Sequence, residues 1–290
     1  MLENARPARQ AYPTDLTDAE WKILEPLVPP AIAYPNLQEP KHTRREILNA
    51  IRYRTRTGCA WRMLPHDFPP WKTVYNTYHE WANDSTMKTM NDALVEQVRL
   101  EEGRNLEPTA AIIDSQSVKG SAQGGEYGYD AGKKVKGRKR HLLVDVLGLV
   151  LAVVITPASV QDRDGAVPVI ENAALEHSNL QKIWADSVYN SHPIEDLRER
   201  TGIDIEVVKR TDNMSGFVVL PRRWVVERTF GWMERFRLLN REYERTVTAS
   251  TADVYHAMIM IMDRRLAQKV ESAGPEHQAQ HHDIAETGAT

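Results

Sequence analysis

The chain has 290 residues, 41% hydrophobic and 27% charged, with a formal net charge of −3, which argues against a generally basic nucleic-acid coat. That length and balance suit a globular protein of two units; no apolar run nears the roughly 20 residues of a membrane helix, and residues 1–15 lack a signal-peptide core. A single cysteine, Cys59, excludes an internal disulfide or a cysteine-based zinc site, so the expected compartment is the cytoplasm.

The first dozen residues are expected to be disordered. Thr17-Asp-Ala-Glu20 reads as a capping box, followed at helical spacing by Trp21, Leu24, Leu27 and Val28 and stopped by Pro29-Pro30. A second capping box, Thr43-Arg-Arg-Glu46, opens a helix with Ile47, Leu48 and Ile51 on one face, broken around Thr57-Gly58-Cys59. A third helix starts at Phe68-Pro69-Pro70-Trp71, with a stripe of Trp71, Val74, Tyr75, Tyr78 and Trp81; Lys72 and Asn76 lie off it. A fourth carries Met87, Met90, Leu94 and Val98. Eight Lys or Arg against two acids lie between Lys41 and Lys72. Short helices with a one-sided basic excess predict a helix-turn-helix-like DNA-binding unit over 13–105, with Lys72 and Asn76 as contacts. The bland alternative is a helical bundle with a solvated basic face.

After Gly103 the period changes. Residues 110–115 read as a strand, 120–132 as a loop, and His141–Val146 and Leu149–Thr156 as two strands around a Leu147-Gly148 turn. A helix is expected over 163–176, strands over Lys182–Asp186 and Asp204–Val208, and a helix over Pro193–Arg200. A long helix follows from Pro221, a last one spans about 251–268, and a disordered tail covers 269–290. Six of the eight residues from Lys133 to Arg140 are basic. This run (Lys133, Lys134, Lys136, Arg138, Lys139, Arg140) is expected to contact the DNA backbone; the alternative is a solvated β-turn.

The apolar strand that starts at Ala110 climbs to Asp114, and Lys182–Asp186 again ends on an aspartate. A carboxylate at the end of a buried strand needs compensation, from a cation or from its own backbone turn. Strand, two-stranded hairpin, helix, strand, helix, strand and helix, over 109–268, predict an α/β domain with a mixed sheet flanked by helices, in which Asp114 and Asp186 lie side by side. Glu227, off the bulky stripe of its helix and one turn from Gly231, is the candidate third carboxylate. Three hard oxygen donors suit Mg²⁺ or Mn²⁺, and two such ions suit in-line phosphoryl displacement. Arg222, Arg223 and Arg228 could neutralise phosphate. Asp145, Asp162 and Asp164 compete, with hairpin and helix-cap roles as their defaults. His141 is expected to pack rather than ligate, and Trp61, Trp71, Trp81 and Trp224 to be core aromatics.

The blocks around these acids resemble the DDE transposases of bacterial insertion sequences, specifically the IS5-like group. They are Ile113-Asp-Ser-Gln-Ser-Val-Lys119, Gly137-Arg-Lys-Arg-His-Leu-Leu-Val-Asp145, Thr156-Pro-Ala-Ser-Val-Gln-Asp-Arg-Asp164 and Arg222-Arg-Trp-Val-Val-Glu-Arg-Thr-Phe-Gly-Trp232. Leu16-Thr-Asp-Ala-Glu-Trp21, Thr57-Gly-Cys-Ala-Trp-Arg-Met-Leu-Pro65 and Pro69-Pro-Trp-Lys-Thr-Val-Tyr75 extend the similarity to roughly residues 13–265. The resemblance implies an RNase H-like catalytic domain, two divalent ions on Asp114, Asp186 and Glu227, and binding to double-stranded DNA at terminal inverted repeats and at a target. It also implies action as a dimer or larger assembly, among the DNA of the bacterial nucleoid. Three positions depart from the family pattern: Val188 replaces a Gly, Leu220 a Tyr, and Glu234 a Lys. The rival expectations are a metal-dependent nuclease that never joins strands and a non-catalytic DNA-binding derivative.

Overall fold

Thr17 caps the first helix through its hydroxyl, which accepts the Glu20 N–H, while the Glu20 carboxylate accepts the Thr17 N–H. The computed structural model describes residues 9–30, 41–122, 125–208 and 224–273. Helix α1 covers Asp18–Leu24, α2 Arg44–Thr57, α3 Trp71–Asn83 and α4 Thr86–Glu101. Gly58 ends α2 in the left-handed region at φ 70°, which a residue without Cβ adopts freely. The stripe of α3 buries Val74, Tyr78 and Trp81, and α4 buries Met87, Met90, Leu94 and Val98. The expected disorder of the first dozen residues is corrected from residue 9 onward. Arg9 pairs with Asp15 at 2.6 Å and with Glu46 at 3.0 Å, and Tyr12 stacks on Phe68 with ring centroids 5.1 Å apart.

The sheet contains β1 (Ala110–Lys119), β2 (Gly128–Asp130), β3 (Val135–Asp145), β4 (Val150–Pro157), β5 (Lys182–Asp186) and β6 (Asp204–Val208). Its order is β2-β3-β1-β5-β6, with β4 also on β3. Strands β1, β3 and β4 form an antiparallel meander; β5 is parallel to β1 and β6 to β5. Helices α5 (Asp162–Glu176) and α6 (His192–Thr201) make the crossovers that parallel pairing requires. This is the expected mixed sheet flanked by helices, preceded by an all-α region.

The basic run is a turn only at Lys133 and Lys134. From Val135 it is already β3, which lengthens β1 to Lys119 through the pairs Ser115↔His141 to Lys119↔Gly137. Residues 128–130 of the expected loop form β2 against it. Helix α7 spans only Trp224–Met233, shorter than expected, and Pro221 lies outside the described residues. The last helix, α8, runs Val247–Ala273, absorbing residues 269–273 of the expected tail; residues 274–290 lie outside the described residues.

Helix α8 packs on both α1–α4 and β4, so the helical region and the sheet share one hydrophobic core. Buried ion pairs fasten it. Arg52 of α2 pairs with Asp263 and Glu20, and Arg54 with Glu244 and Asp253 while lying over the Trp61 ring at 4.0 Å. Much of the basic excess of α2 is therefore internal and does not form a DNA-facing surface. Among the described residues no helix is long and apolar enough to cross a membrane.

Candidate functional site

Strand register builds the site. The parallel pairs of β1 and β5 run Ala110↔Lys182, Ala111↔Ile183 and Ile112↔Trp184. Two residues beyond the last of these pairs stand Asp114 and Asp186, on the same strand faces as Ile112 and Trp184 because side chains alternate with period 2. Buried apolar residues precede each (Ile112 and Ile113; Trp184 and Ala185), and both aspartates are half-buried. The chain thus carries two carboxylates to one edge of the core.

Each is also held locally. Asp114 Oδ1 accepts the Ser115 N–H at 2.7 Å; Asp186 Oδ1 accepts the Ser187 hydroxyl at 2.8 Å and the Val188 N–H at 3.4 Å. The backbone-turn alternative is therefore realised in part, and it leaves oxygen lone pairs for other uses.

Glu227 lies on α7, which packs against β1 and β3. Val225, Val226, Thr229, Phe230 and Met233 are buried, leaving Trp224, Glu227 and Gly231 exposed on one face. A Cβ placed on Gly231 would meet nothing within 4 Å. Trp224 is 42% exposed, which corrects its expected core position. Among the described residues no three His, Cys, Asp or Glu side chains come together as a metal-holding group, so Asp114, Asp186 and Glu227 do not form one here. The paired aspartates themselves fit a hard divalent cation, which accepts two carboxylates and fills its remaining positions with water or phosphate oxygen.

The basic residues divide. Lys72 and Asn76 are exposed on α3, and Lys133, Lys134 and Lys136 are exposed on the β2–β3 hairpin. The Lys133 ammonium donates to the Ser115 carbonyl at 3.2 Å, beside Asp114. Arg138, Lys139 and Arg140 are 1%, 5% and 2% exposed, so their expected phosphate contact is corrected to an internal role. Arg138 donates to the carbonyls of Glu244 (3.0 Å), Arg245 (2.8 Å) and Thr246 (3.2 Å), and Arg140 to that of Leu239 at 2.8 Å. Lys139, on the opposite face, pairs with Asp162 at 2.6 Å. Arg228 is likewise engaged: it donates to the Leu147 carbonyl at 2.7 Å and lies over the rings of Trp224 and Trp232 at 4.4 and 4.7 Å. Arg222 and Arg223 lie outside the described residues.

Of the competing acids, Asp145 is fully buried, pairs with Arg99 and accepts the Leu147 and Leu149 N–H groups, both at 2.9 Å, in the hairpin role expected of it. His141 packs beneath α5: a Cβ on Gly165 would lie 2.1 Å from its ring, and burial lowers its pKa to about 4. Tyr189, three residues after Asp186, is 1% exposed, a burial that the sequence did not single out. Burial, then the charge of Asp114, keeps its hydroxyl protonated well above the ordinary phenol range, with Asp162 and Asp186 also acting on it. The signal for it was its position, three residues after a strand-ending aspartate.

Residues 105–262 match the family described as Transposase DDE domain, and residues 16–91 match the Putative transposase of IS4/5 family. A curated relative, the putative transposase for insertion sequence element IS402 of Burkholderia cepacia, is 32% identical over 133 residues, 43% of this chain and 60% of that protein. The chain thus spans under two thirds of that relative's length. Among solved structures, the catalytic core domain of BIV integrase aligns at 18% identity over 50% of this chain and 81% of its own, with a TM-score of 0.33. The Mos1 mariner paired end complex with Mn aligns at 12% identity over 84% and 82%, with a TM-score of 0.30.

Proposed function

The chain belongs to the transposase DDE-domain family, and from that premise we propose that it hydrolyses a phosphodiester at the terminal inverted repeats of an insertion sequence and uses the freed 3′-OH to attack target DNA. The observation that supports this is the parallel register of β1 and β5, whose last pair, Ile112↔Trp184, lies two residues before Asp114 and Asp186. Asp114, Asp186 and Glu227 would hold two Mg²⁺ or Mn²⁺ ions. When bound, such ions lower the pKa of a nucleophilic water or hydroxyl and offset charge on the leaving oxygen.

The chain's own residues do the rest. The half-buried aspartates, set on a rigid sheet, fix where the reacting phosphate sits. The exposed face of α7 presents Glu227 beside the open space at Gly231, where a DNA backbone can approach. Lys133, Lys134 and Lys136 from the hairpin, and Lys72 and Asn76 from α3, neutralise and position phosphates. Arg222 and Arg223 are proposed for the same task next to Glu227. Two copies or more act together, because two ends must be cut and joined in concert.

The test supplies the full-length protein with double-stranded DNA carrying the sequences that flank its gene, a target plasmid, and Mg²⁺ or Mn²⁺. The expected result is metal-dependent nicking at the ends and covalent end–target products. Cleavage without joining would instead mean a nuclease, and specific binding without cleavage a non-catalytic DNA-binding protein.

A further inference from the structure

The turn between β3 and β4 is gripped from two sides. Its own backbone closes it, the Gly148 N–H donating to the Asp145 carbonyl at 3.0 Å and the Asp145 N–H to the Leu149 carbonyl at 2.9 Å. On one side the buried Asp145 carboxylate accepts the Leu147 and Leu149 N–H groups and pairs with Arg99 of α4. The same guanidinium donates to the carbonyls of Asn105 (2.8 Å), Leu106 (2.9 Å) and Glu107 (3.2 Å), just before β1 begins. On the other side α7 takes two carbonyls of the turn. The Thr229 hydroxyl donates to that of Gly148 and the Arg228 guanidinium to that of Leu147, both at 2.7 Å. Thr229 is fully buried, and the Arg228 guanidinium lies over the rings of both Trp224 and Trp232, a flat fit that an ammonium does not reproduce. Gly148 permits this approach: at φ 83°, a Cβ on it would lie 2.8 Å from the Thr229 hydroxyl oxygen, 3.1 Å from Arg228 and 3.2 Å from the Trp232 ring. Turn and helix are fitted to one another with no room for a side chain between them.

We propose that the Asp145–Leu149 turn is the seat of α7, and that Arg228 and Thr229 are positioning residues that fix where the preceding residue, Glu227, stands against the sheet. This rests on the assignment of Glu227 to the cation-holding site. It gives Arg228 a task other than the phosphate contact expected of it, for which the guanidinium would have to leave this seat. A carboxylate that acts at a reacting phosphate must be held closely, since a shift of about 1 Å caused by a mutation away from the chemistry can cost about 100-fold in rate. Because Asp145 and Arg99 fasten the same turn to α4, the seat also ties the placement of Glu227 to the helical region.

The test is Mn²⁺-dependent nicking of duplex DNA carrying the sequences that flank the gene, with kcat and KM measured alongside metal-free DNA affinity and melting temperature. Full-length wild type is compared with Arg228→Gln, Thr229→Val, Thr229→Ser and Glu227→Gln. The expected result is a kcat about 100-fold lower in Arg228→Gln and Thr229→Val, with KM and DNA affinity as in wild type. Thr229→Ser, which keeps the hydroxyl donor, should nick like wild type, and Glu227→Gln should not nick. Wild-type kcat in Arg228→Gln and Thr229→Val, whatever their melting temperatures, would make the seat purely structural and overturn the proposal, leaving Glu227 assigned. Weaker DNA binding by Arg228→Gln, with a salt slope about one unit smaller, would make Arg228 a phosphate contact and overturn it too. Should Arg228→Gln fail to fold, the Thr229 pair decides, and equal rates in Thr229→Val and Thr229→Ser would overturn the proposal. Full nicking by Glu227→Gln, or none by wild type, would remove the assignment of Glu227 and the proposal with it.

Discussion

Arg138 and Lys136, two positions apart in one basic run, have opposite fates, because β3 carries the first inside and leaves the second in water. Truncating each separates the two roles. Arg138→Ala removes the nearer of the two ion pairs of Glu242, at 3.4 Å, leaving only Arg140 at 3.9 Å, and strips the carbonyls of residues 244–246 of their donor. It is expected to cost about 3–5 kcal/mol in urea unfolding. Lys133→Ala and Lys136→Ala are expected to stay within about 0.5 kcal/mol of wild type. They should weaken DNA binding and flatten its salt dependence by about one unit of slope per lost phosphate contact. The reverse pattern, a stable Arg138→Ala that no longer binds DNA, would restore the surface role the sequence suggested. That misreading has a physical origin: six cations in eight residues look like solvent-facing charge unless their partners, which lie about a hundred residues away, are known.

Helix α7 carries an internal glycine. Gly231 stands inside it, exposed, on the face that carries Glu227 and with open space where a Cβ would go. Alanine there should stabilise the protein by about 0.5–1 kcal/mol through helix propensity alone. The Cβ would also occupy the space through which a phosphate backbone is proposed to approach, so DNA cleavage should fall while thermal stability rises. Cleavage unchanged by Gly231→Ala would place the DNA elsewhere. Strand β5 was legible to the residue as a short apolar run bounded by polar residues, and β6 from its β-branched Ile205, Val207 and Val208 as far as the described residues reach. The extension of β1 and β3 was not, because its alternation is of buried cations and small polar groups instead of apolar side chains. The carboxylate pair was suggested by two apolar runs that each reach an aspartate; whether α7 completes it depends on packing that no local pattern encodes.

The whole molecule is tied together by α8, whose buried charges face α2. His256 is fully buried, its Nδ1 2.8 Å from the Thr55 hydroxyl, and burial together with Arg52 and Arg54 lowers its pKa to about 3. A histidine depressed in the folded state contributes stability that is present above its unfolded value near 6.5 and is lost as pH falls toward the folded value. Between pH 7.5 and 4.5 this is about 2–3 kcal/mol. Asp263 and Asp253, raised by burial to about 6 and about 7, act in the opposite sense, their stabilising effect being lost as pH rises through those values. The difference between two proteins is therefore the readout: His256→Asn should lose about 2 kcal/mol less than wild type over that interval in urea unfolding. Equal losses would show that His256 is charged in the folded protein. Sequence periodicity identified α8 as a helix, but its position between the helical region and the sheet follows from ion pairs across some two hundred residues, such as Arg54–Asp253.

The account turns on Asp114, Asp186 and Glu227 acting as one cation-holding site, and iron-directed backbone cleavage tests this most directly. Fe²⁺ replaces Mg²⁺ in the full-length protein with and without end DNA, and ascorbate with peroxide then cuts the chain next to the bound ion. Cuts clustered around residues 114 and 186, joined by cuts around 227 when DNA is present, are the predicted result. Cuts that fall instead beside Asp145 or within the buried acids of α8, or the absence of any cut near Asp114 and Asp186, would contradict it.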